Sequence, residues 1–211
     1  MGIYLQLHPV TPQRRFIRQA VDVLRAGGVI VYPTDSCYAL GCGIGDKAPL
    51  ERIRDIRQTD RHHHFTLVCR DLAEIAKYAI VDNWQYRLLR AHTPGPYTFI
   101  LRASRETPRR LKHERRGTIG LRVPDHPVTS LLLGELGEPI MSSTLLLPDE
   151  DLPRTDAREI YDSLATRVDL VLDGGNCGLV PTTVVDLSGD HAVVVREGRG
   201  DVSPFVGPPP V

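Results

Sequence analysis

Residues 29 to 45 read Val-Ile-Val-Tyr-Pro-Thr-Asp-Ser-Cys-Tyr-Ala-Leu-Gly-Cys-Gly-Ile-Gly, and this stretch restricts the possible folds more than any other. Four consecutive β-branched or aromatic residues without a polar break suit a strand covered on both faces, and so a sheet with helices on either side. Pro33 ends ladder pairing at its own nitrogen. Thr34, Asp35, Ser36 and Tyr38 follow at once, which places hydroxyls and a carboxylate at the end of a buried strand, where open α/β sheets bind ligands. Gly41, Gly43 and Gly45 predict a glycine-rich turn that permits close backbone approach or positive φ. Asp46 is a candidate cap for a helix beginning near Lys47. A polar connection with no ligand is the alternative reading.

Two nucleotide motifs are excluded here. A Walker A loop needs Gly-Lys-Ser/Thr at its end, whereas Lys47 follows Asp46 and precedes Ala48. A dinucleotide fingerprint breaks where Asp46 occupies the position of its last glycine. Any phosphate is therefore expected to bind through side-chain cations and hydroxyls.

The rest of the chain alternates helical and extended patterns. Thr11-Pro12-Gln13 predicts a helix start, followed by an apolar stripe of Phe16, Ile17, Ala20, Val21 and Leu24 that Gly27-Gly28 ends. Leu50, Ile53 and Ile56 space a second helix. Phe65 to Cys69 reads as a strand, Asp71 caps a short helix, and Trp84, Leu88 and Leu89 mark another that stops before Thr93-Pro94-Gly95-Pro96. Tyr97 to Leu101 and Thr118 to Val123 are strand-like. Pro127 to Leu136 reads as a helix closed by Gly137, Ile140 to Thr144 as a strand, and Asp156 to Leu164 as a capped helix. Three strands follow, at 170–172, 182–187 and 192–195. The pattern predicts an α/β fold, α+β in some schemes: a three-layer sandwich around a mixed, twisted open sheet. At 211 residues, with no repeat or linker, one domain over 1–211 is expected, with a flexible Pro-rich tail from about 204.

Composition bounds the partners. No run approaches the roughly 20 apolar residues of a membrane span, and the N-terminus lacks a basic leader with an apolar core, so a cytoplasmic protein is expected. Four cysteines at 37, 42, 69 and 177 show no CxxC spacing and read as buried thiols. Lys plus Arg balance Asp plus Glu at 26 each, which implies no global attraction to nucleic acid. The segment Arg102 to Arg116 nevertheless holds seven basic residues against two Glu. That patch is either a solvated face or a surface for an anionic ligand or RNA backbone.

Several apolar runs end in a hydroxyl or an arginine: Thr34, Thr118, Arg122, Ser142, Thr144, Thr182, Thr183 and Arg196. Arginine suits carboxylate and phosphate through its planar fork, and hydroxyls orient amines, ribose or phosphate oxygens. No Ser-His-Asp set or catalytic carboxylate pair is evident. His62-His63-His64 invites a metal reading, but adjacent loop histidines do not readily share one tetrahedral ion, and none is expected. Cys37 has no neighbour in sequence to lower its pKa and reads as a space-filling residue.

With these residues in view, the chain resembles the YrdC family of threonylcarbamoyl-AMP synthase-like proteins, and within it the YciO branch. Pro33-Thr34-Asp35-Ser36-Cys37-Tyr38-Ala39-Leu40-Gly41 is similar to the family's Pro-Thr-Asp-Thr-x-Tyr-Gly-Leu-Gly, and Pro94-Gly95-Pro96-Tyr97-Thr98 to its Pro-Gly-Pro-x-Thr. Thr118 to Pro124 and Thr182 to Asp186 match two further blocks. The resemblance implies a basic concavity where L-threonine, bicarbonate and ATP, with Mg2+, form threonylcarbamoyl-AMP and pyrophosphate for tRNA modification. It places Thr34, Arg122, Ser142 and Thr182 on the threonine side and Arg57, Thr118, Thr144 and Arg196 on the nucleotide side, ATP or AMP. It implies no covalent nucleophile. Two departures stand out. The family's Lys-x-Arg aligns with Arg57-Gln58-Thr59, leaving Arg61 to supply a second cation, and its Ser-x-Asn aligns with Thr144-Leu145-Leu146. Reduced activity is therefore expected, and the alternative is a non-catalytic module that binds double-stranded RNA or tRNA in the concavity.

Overall fold

The computed structural model describes residues 1–45, 47–59, 65–148 and 150–206. Along the chain run β1 (Ile3–Gln6), α1 (Arg14–Arg25), β2 (Ile30–Tyr32), β3 (Ala39–Gly43), α2 (Lys47–Arg57), β4 (Thr66–Val68), α3 (Leu72–Tyr78) and α4 (Asn83–His92). They are followed by β5 (Tyr97–Arg102), β6 (Thr118–Arg122), α5 (Pro127–Leu136), β7 (Ile140–Thr144), α6 (Ala157–Leu164), β8 (Leu170–Asp173), β9 (Thr183–Asp186) and β10 (Val193–Arg196). All the strands join one open sheet in the order β1-β8-β2-β3-β7-β4-β6-β5-β9-β10. It is mixed: β1 and β2 run parallel to β8, β4 to β6, and β5 to β9, while the other pairs are antiparallel.

The buried run at β2 accounts for the layers. Ile30 and Tyr32 point to one face and Val31 to the other, because strand side chains alternate. The first face is packed by Ile17, Ala20, Val21 and Leu24 of α1 and by Val128, Leu132, Leu133 and Leu136 of α5. The second is packed by Leu50, Ile53 and Ile56 of α2, Ile75 of α3, Leu89 of α4 and Ile160 and Leu164 of α6. This is the expected three-layer sandwich. α5 is bounded as its residues dictate, with Pro127 in its first turn and Gly137 at φ 78° closing it. Asp156 caps α6 by accepting hydrogen bonds from the Arg158 and Glu159 nitrogens. Among the described residues no helix is long and apolar enough to cross a membrane.

Two expectations are corrected, and one strand escaped the sequence reading. Gly41 and Gly43 lie in β3, antiparallel to β2, and not in a turn. A Cβ on Gly41 would fall 2.7 Å from the Tyr32 ring and from Ile140 Cγ2, so this glycine serves close approach within the sheet. Thr11 does not cap α1; its Oγ1 lies 3.0 Å from His8 Nδ1, and Gln13 stands at the helix N-cap with its Oε1 accepting from the His8 nitrogen at 3.1 Å and not from the helix. β1 went unread at the sequence level, since Ile3–Gln6 is too short and too exposed to show alternation. Ser203–Phe205 forms a 3-10 turn with Phe205 buried. The capping role of Asp46 and the final prolines fall outside the described residues.

Candidate ligand cavity

The two helical layers do not cover the sheet equally. The α1–α5 layer packs over Ile30, Tyr32, Ala39, Val68, Ile140, Leu170 and Leu172 and goes no further. Along that same face Thr66 pairs with Ser142 on one side and Gly120 on the other, and Gly120 pairs with Ile100. Their neighbours Leu67, Leu121, Met141 and Phe99 point the opposite way and fill the core. The uncovered part of the face is the floor of a cavity of about 290 Å³. A Cβ on Gly120 would make only ordinary contacts with Thr66 Oγ1 and Thr98 Cγ2, at 3.4 and 3.5 Å, so the glycine there leaves room over the floor.

Six of the eight sequence-selected residues line this cavity: Arg57, Arg122, Ser142, Thr144, Thr182 and Arg196. Thr34 and Thr118 do not. Thr34 is buried beneath the wall, where its Oγ1 donates to the Cys37 carbonyl at 2.7 Å and accepts from the Ser36 nitrogen at 3.1 Å. It shapes the turn that brings Ser36 and Cys37 to the surface of the cavity. Thr118 is buried at the start of β6, opposite Arg102.

Arg122 is held by the buried carboxylate of Asp35, whose other oxygen accepts from the Asp125 nitrogen at 3.1 Å. Arg122 Nη1 also reaches Ser36 Oγ at 3.4 Å, and its Nε is buried without a hydrogen-bond partner. Arg196 donates to the Thr182 carbonyl through Nη2 at 2.9 Å, and Thr182 Oγ1 lies 2.9 Å from Thr98 Oγ1. Arg57 donates to Ser143 Oγ at 2.5 Å and to the Leu146 carbonyl at 3.2 Å. Desolvation lowers the pKa of both Arg57 and Arg196. Repulsion adds to this, from Arg196 on Arg57 and from Arg122 on Arg196. Three guanidinium groups therefore converge in one depression, an arrangement that an anion relieves.

Ser142 is specialised by its neighbours. The Tyr32 hydroxyl donates to its Oγ at 2.6 Å, and that Oγ donates to the Leu40 carbonyl at 3.2 Å. Burial raises the Tyr32 pKa to about 12, so this donor stays protonated. A serine hydroxyl has one proton and two acceptor sites. The proton is committed to Leu40, and the acceptor site that remains suits an N–H group.

The other sequence readings fare variously. Burial raises the Cys37 pKa to about 11 against the pull of Arg122, Arg196 and Arg199, which leaves a protonated thiol that fills space, and all four cysteines are free. Leu146 lines the cavity; Thr59 does not, and its Oγ1 is buried without a partner. Arg61 and His62 to His64 fall outside the described residues. In the basic run, Arg102 donates to the Ser188 carbonyl, Arg110 to Ile44 and Gly45, and Lys112 to Ser104, while Arg116 lies 3.8 Å from Asp186. Sequence reasoning left out Thr66, whose signal was its alternation with Leu67 in β4. It also named Asp35 without its partner, because no local pattern joins residues 35 and 122.

A family model described as telomere recombination, covering Sua5, YciO and YrdC, matches residues 22–198. The Escherichia coli uncharacterized protein YciO is 54% identical over 206 residues, which cover 98% of this chain and 100% of that one. Its crystal structure superposes with a TM-score of 0.94. A Nitrosococcus oceani protein named threonylcarbamoyl-AMP synthase is 30% identical over 159 residues, 75% of this chain and 85% of that one. A crystal structure of P. abyssi Sua5 complexed with L-threonine shares the fold at a TM-score of 0.85 and 22% identity, covering 93% of this chain and 58% of that one.

Proposed function

Because this chain belongs to the Sua5/YciO/YrdC family, we propose that it is a nucleotide-binding protein of the threonylcarbamoyl-AMP synthase type, working at reduced rate. The observation that carries this reading is the convergence of Arg57, Arg122 and Arg196 with a hydroxyl acceptor at Ser142 in one cavity. Arg122 presents a guanidinium to the amino-acid carboxylate, and Ser142 accepts a hydrogen bond from the amine. Arg57 and Arg196 face the phosphates of ATP. The amine nitrogen of threonine bonds to the bicarbonate carbon, whose bond to its hydroxyl oxygen breaks, and that hydroxyl leaves with an amine proton as water, giving a carbamate. A carbamate oxygen then bonds to the α-phosphorus while the bond to the β-phosphate oxygen breaks, and pyrophosphate leaves. Positioning and charge stabilisation supply the catalysis. The two relatives that support the chemistry are the synthase from Nitrosococcus oceani and Sua5 with its bound L-threonine.

Among the described residues no group of three metal-ligating side chains converges, so the chain offers no cage for Mg2+ there. The nucleotide's own phosphates are the ligands that suit this ion.

The test is pyrophosphate release from ATP, L-threonine and bicarbonate. A rate no higher than the blank, with the fold intact, would reject the reading. Changing Thr59→Arg together with Leu146→Asn returns a cation and an amide to the nucleotide side. Turnover in that variant is expected to rise by about ten- to a hundredfold with little change in the threonine KM. The RNA-binding alternative rests on the basic run from Arg102 to Arg116, and the internal bonds of Arg102, Arg110 and Lys112 count against it. A steep salt dependence of duplex RNA binding would restore it.

A further inference from the structure

We propose that Arg199 is an additional ligand-binding residue, placing a second guanidinium beside Arg122 for the carboxylate of the amino-acid ligand. The inference rests on the amino-acid reading given above and goes beyond it, since position 199 is not among the residues that the family motifs single out.

The placement comes from the loop after β8. A Cβ built on Gly178 would fall 2.7 Å from the Ser36 carbonyl oxygen and 2.9 Å from Arg199 Nη1. The bare glycine therefore leaves room for the Arg199 guanidinium and the Ser36 carbonyl beside one backbone atom. The Arg199 nitrogen donates to the Pro181 carbonyl at 2.8 Å, which ties residue 199 to the cavity wall formed by Leu179, Pro181 and Thr182. Ser36, whose carbonyl lies against Gly178, accepts a hydrogen bond from Arg122 at its Oγ. Arg199, Gly178, Ser36 and Arg122 thus form a continuous line at one corner of the cavity.

Charge makes that corner unusual. Arg122 is balanced by Asp35, both side chains being about nine-tenths buried at 8% and 10% exposure. Part of the Arg122 charge is offset by that pairing, so a carboxylate bound to Arg122 gains from a second cation close by. Arg199 is exposed and forms no ion pair among the described residues, so its charge is uncommitted. The Cys37 thiol, on the cavity wall beside Ser36, feels the positive charge of Arg122, Arg196 and Arg199. Arg199 therefore stands with Arg122, the residue assigned to the amino-acid carboxylate, through the Ser36 turn that both approach.

Calorimetric titration of L-threonine and, separately, AMP into the wild type, Arg199→Gln and Arg199→Lys tests the assignment. Arg199→Gln is expected to weaken L-threonine by about five- to tenfold, the worth of one partly exposed charge-assisted contact. Arg199→Lys should keep most of the affinity, and AMP should change by less than about twofold in either variant. 1-Amino-2-propanol, which lacks the carboxylate, should not distinguish Arg199→Gln from wild type. Unchanged threonine affinity in Arg199→Gln, or an equal loss for threonine and AMP, would overturn the proposal and leave the functional reading standing. A wild type that takes up no threonine would overturn both.

Discussion

Arg122→Ala is expected to destabilise the protein by about 3–5 kcal/mol and to abolish measurable L-threonine binding. The stability loss follows from Asp35, which would remain about nine-tenths buried with no cation opposite it. The binding loss follows from removing the guanidinium that lines the cavity beside Ser36. The two effects separate in the double variant Asp35→Ala with Arg122→Ala. Once the orphaned carboxylate is gone, the double variant should be more stable than Arg122→Ala alone in urea denaturation, while binding stays lost. If the two substitutions simply add, Asp35 and Arg122 do not act as a pair, and the account of how Arg122 is held fails.

Phe205→Ala should cost about 3–5 kcal/mol, as truncation of a buried aromatic does. The Phe205 ring sits 4.8 Å from His92, 5.6 Å from Tyr97 and 6.2 Å from Phe99, centroid to centroid. It closes the end of the core beneath β5. Tyr97 donates to the Asp201 carbonyl at 3.2 Å, so loosening here reaches the strand that carries Thr98 into the cavity. Thermal unfolding measures the effect, and a loss under about 1 kcal/mol would show that this segment only rests on the surface.

Local signals were legible in the residues because their causes are local. Pro127 and Gly137 bracket α5, Asp71 and Asp156 cap α3 and α6, and the apolar runs Val29 to Tyr32 and Ile140 to Met141 became strands, each through interactions within a few positions. The same reasoning failed at β3. There the small residues of Ala39–Gly43 mimic a turn, and only the Tyr32 and Ile140 side chains of neighbouring strands explain why Gly41 must lack a Cβ.

Arginines and hydroxyls at the ends of apolar runs marked five of the cavity residues, but nothing in the order of residues separates Thr182, on the wall, from Thr34 and Thr118, which do not line it. That distinction depends on which side of the sheet the α1–α5 layer leaves bare. It follows from strand pairings such as Thr66 with Ser142, 76 positions apart, and from helices that reach the sheet only after the chain has returned on itself. The Asp35–Arg122 pair has the same origin: β2 and β6 stand three strands apart, and each residue lies just beyond or at the end of its strand. Residue type and short spacing decided which chemistry was present, since hydrogen-bond capacity and charge belong to the side chain itself. Sheet register decided which of those groups meet, since one position of slip would turn every hydroxyl on the floor into the core.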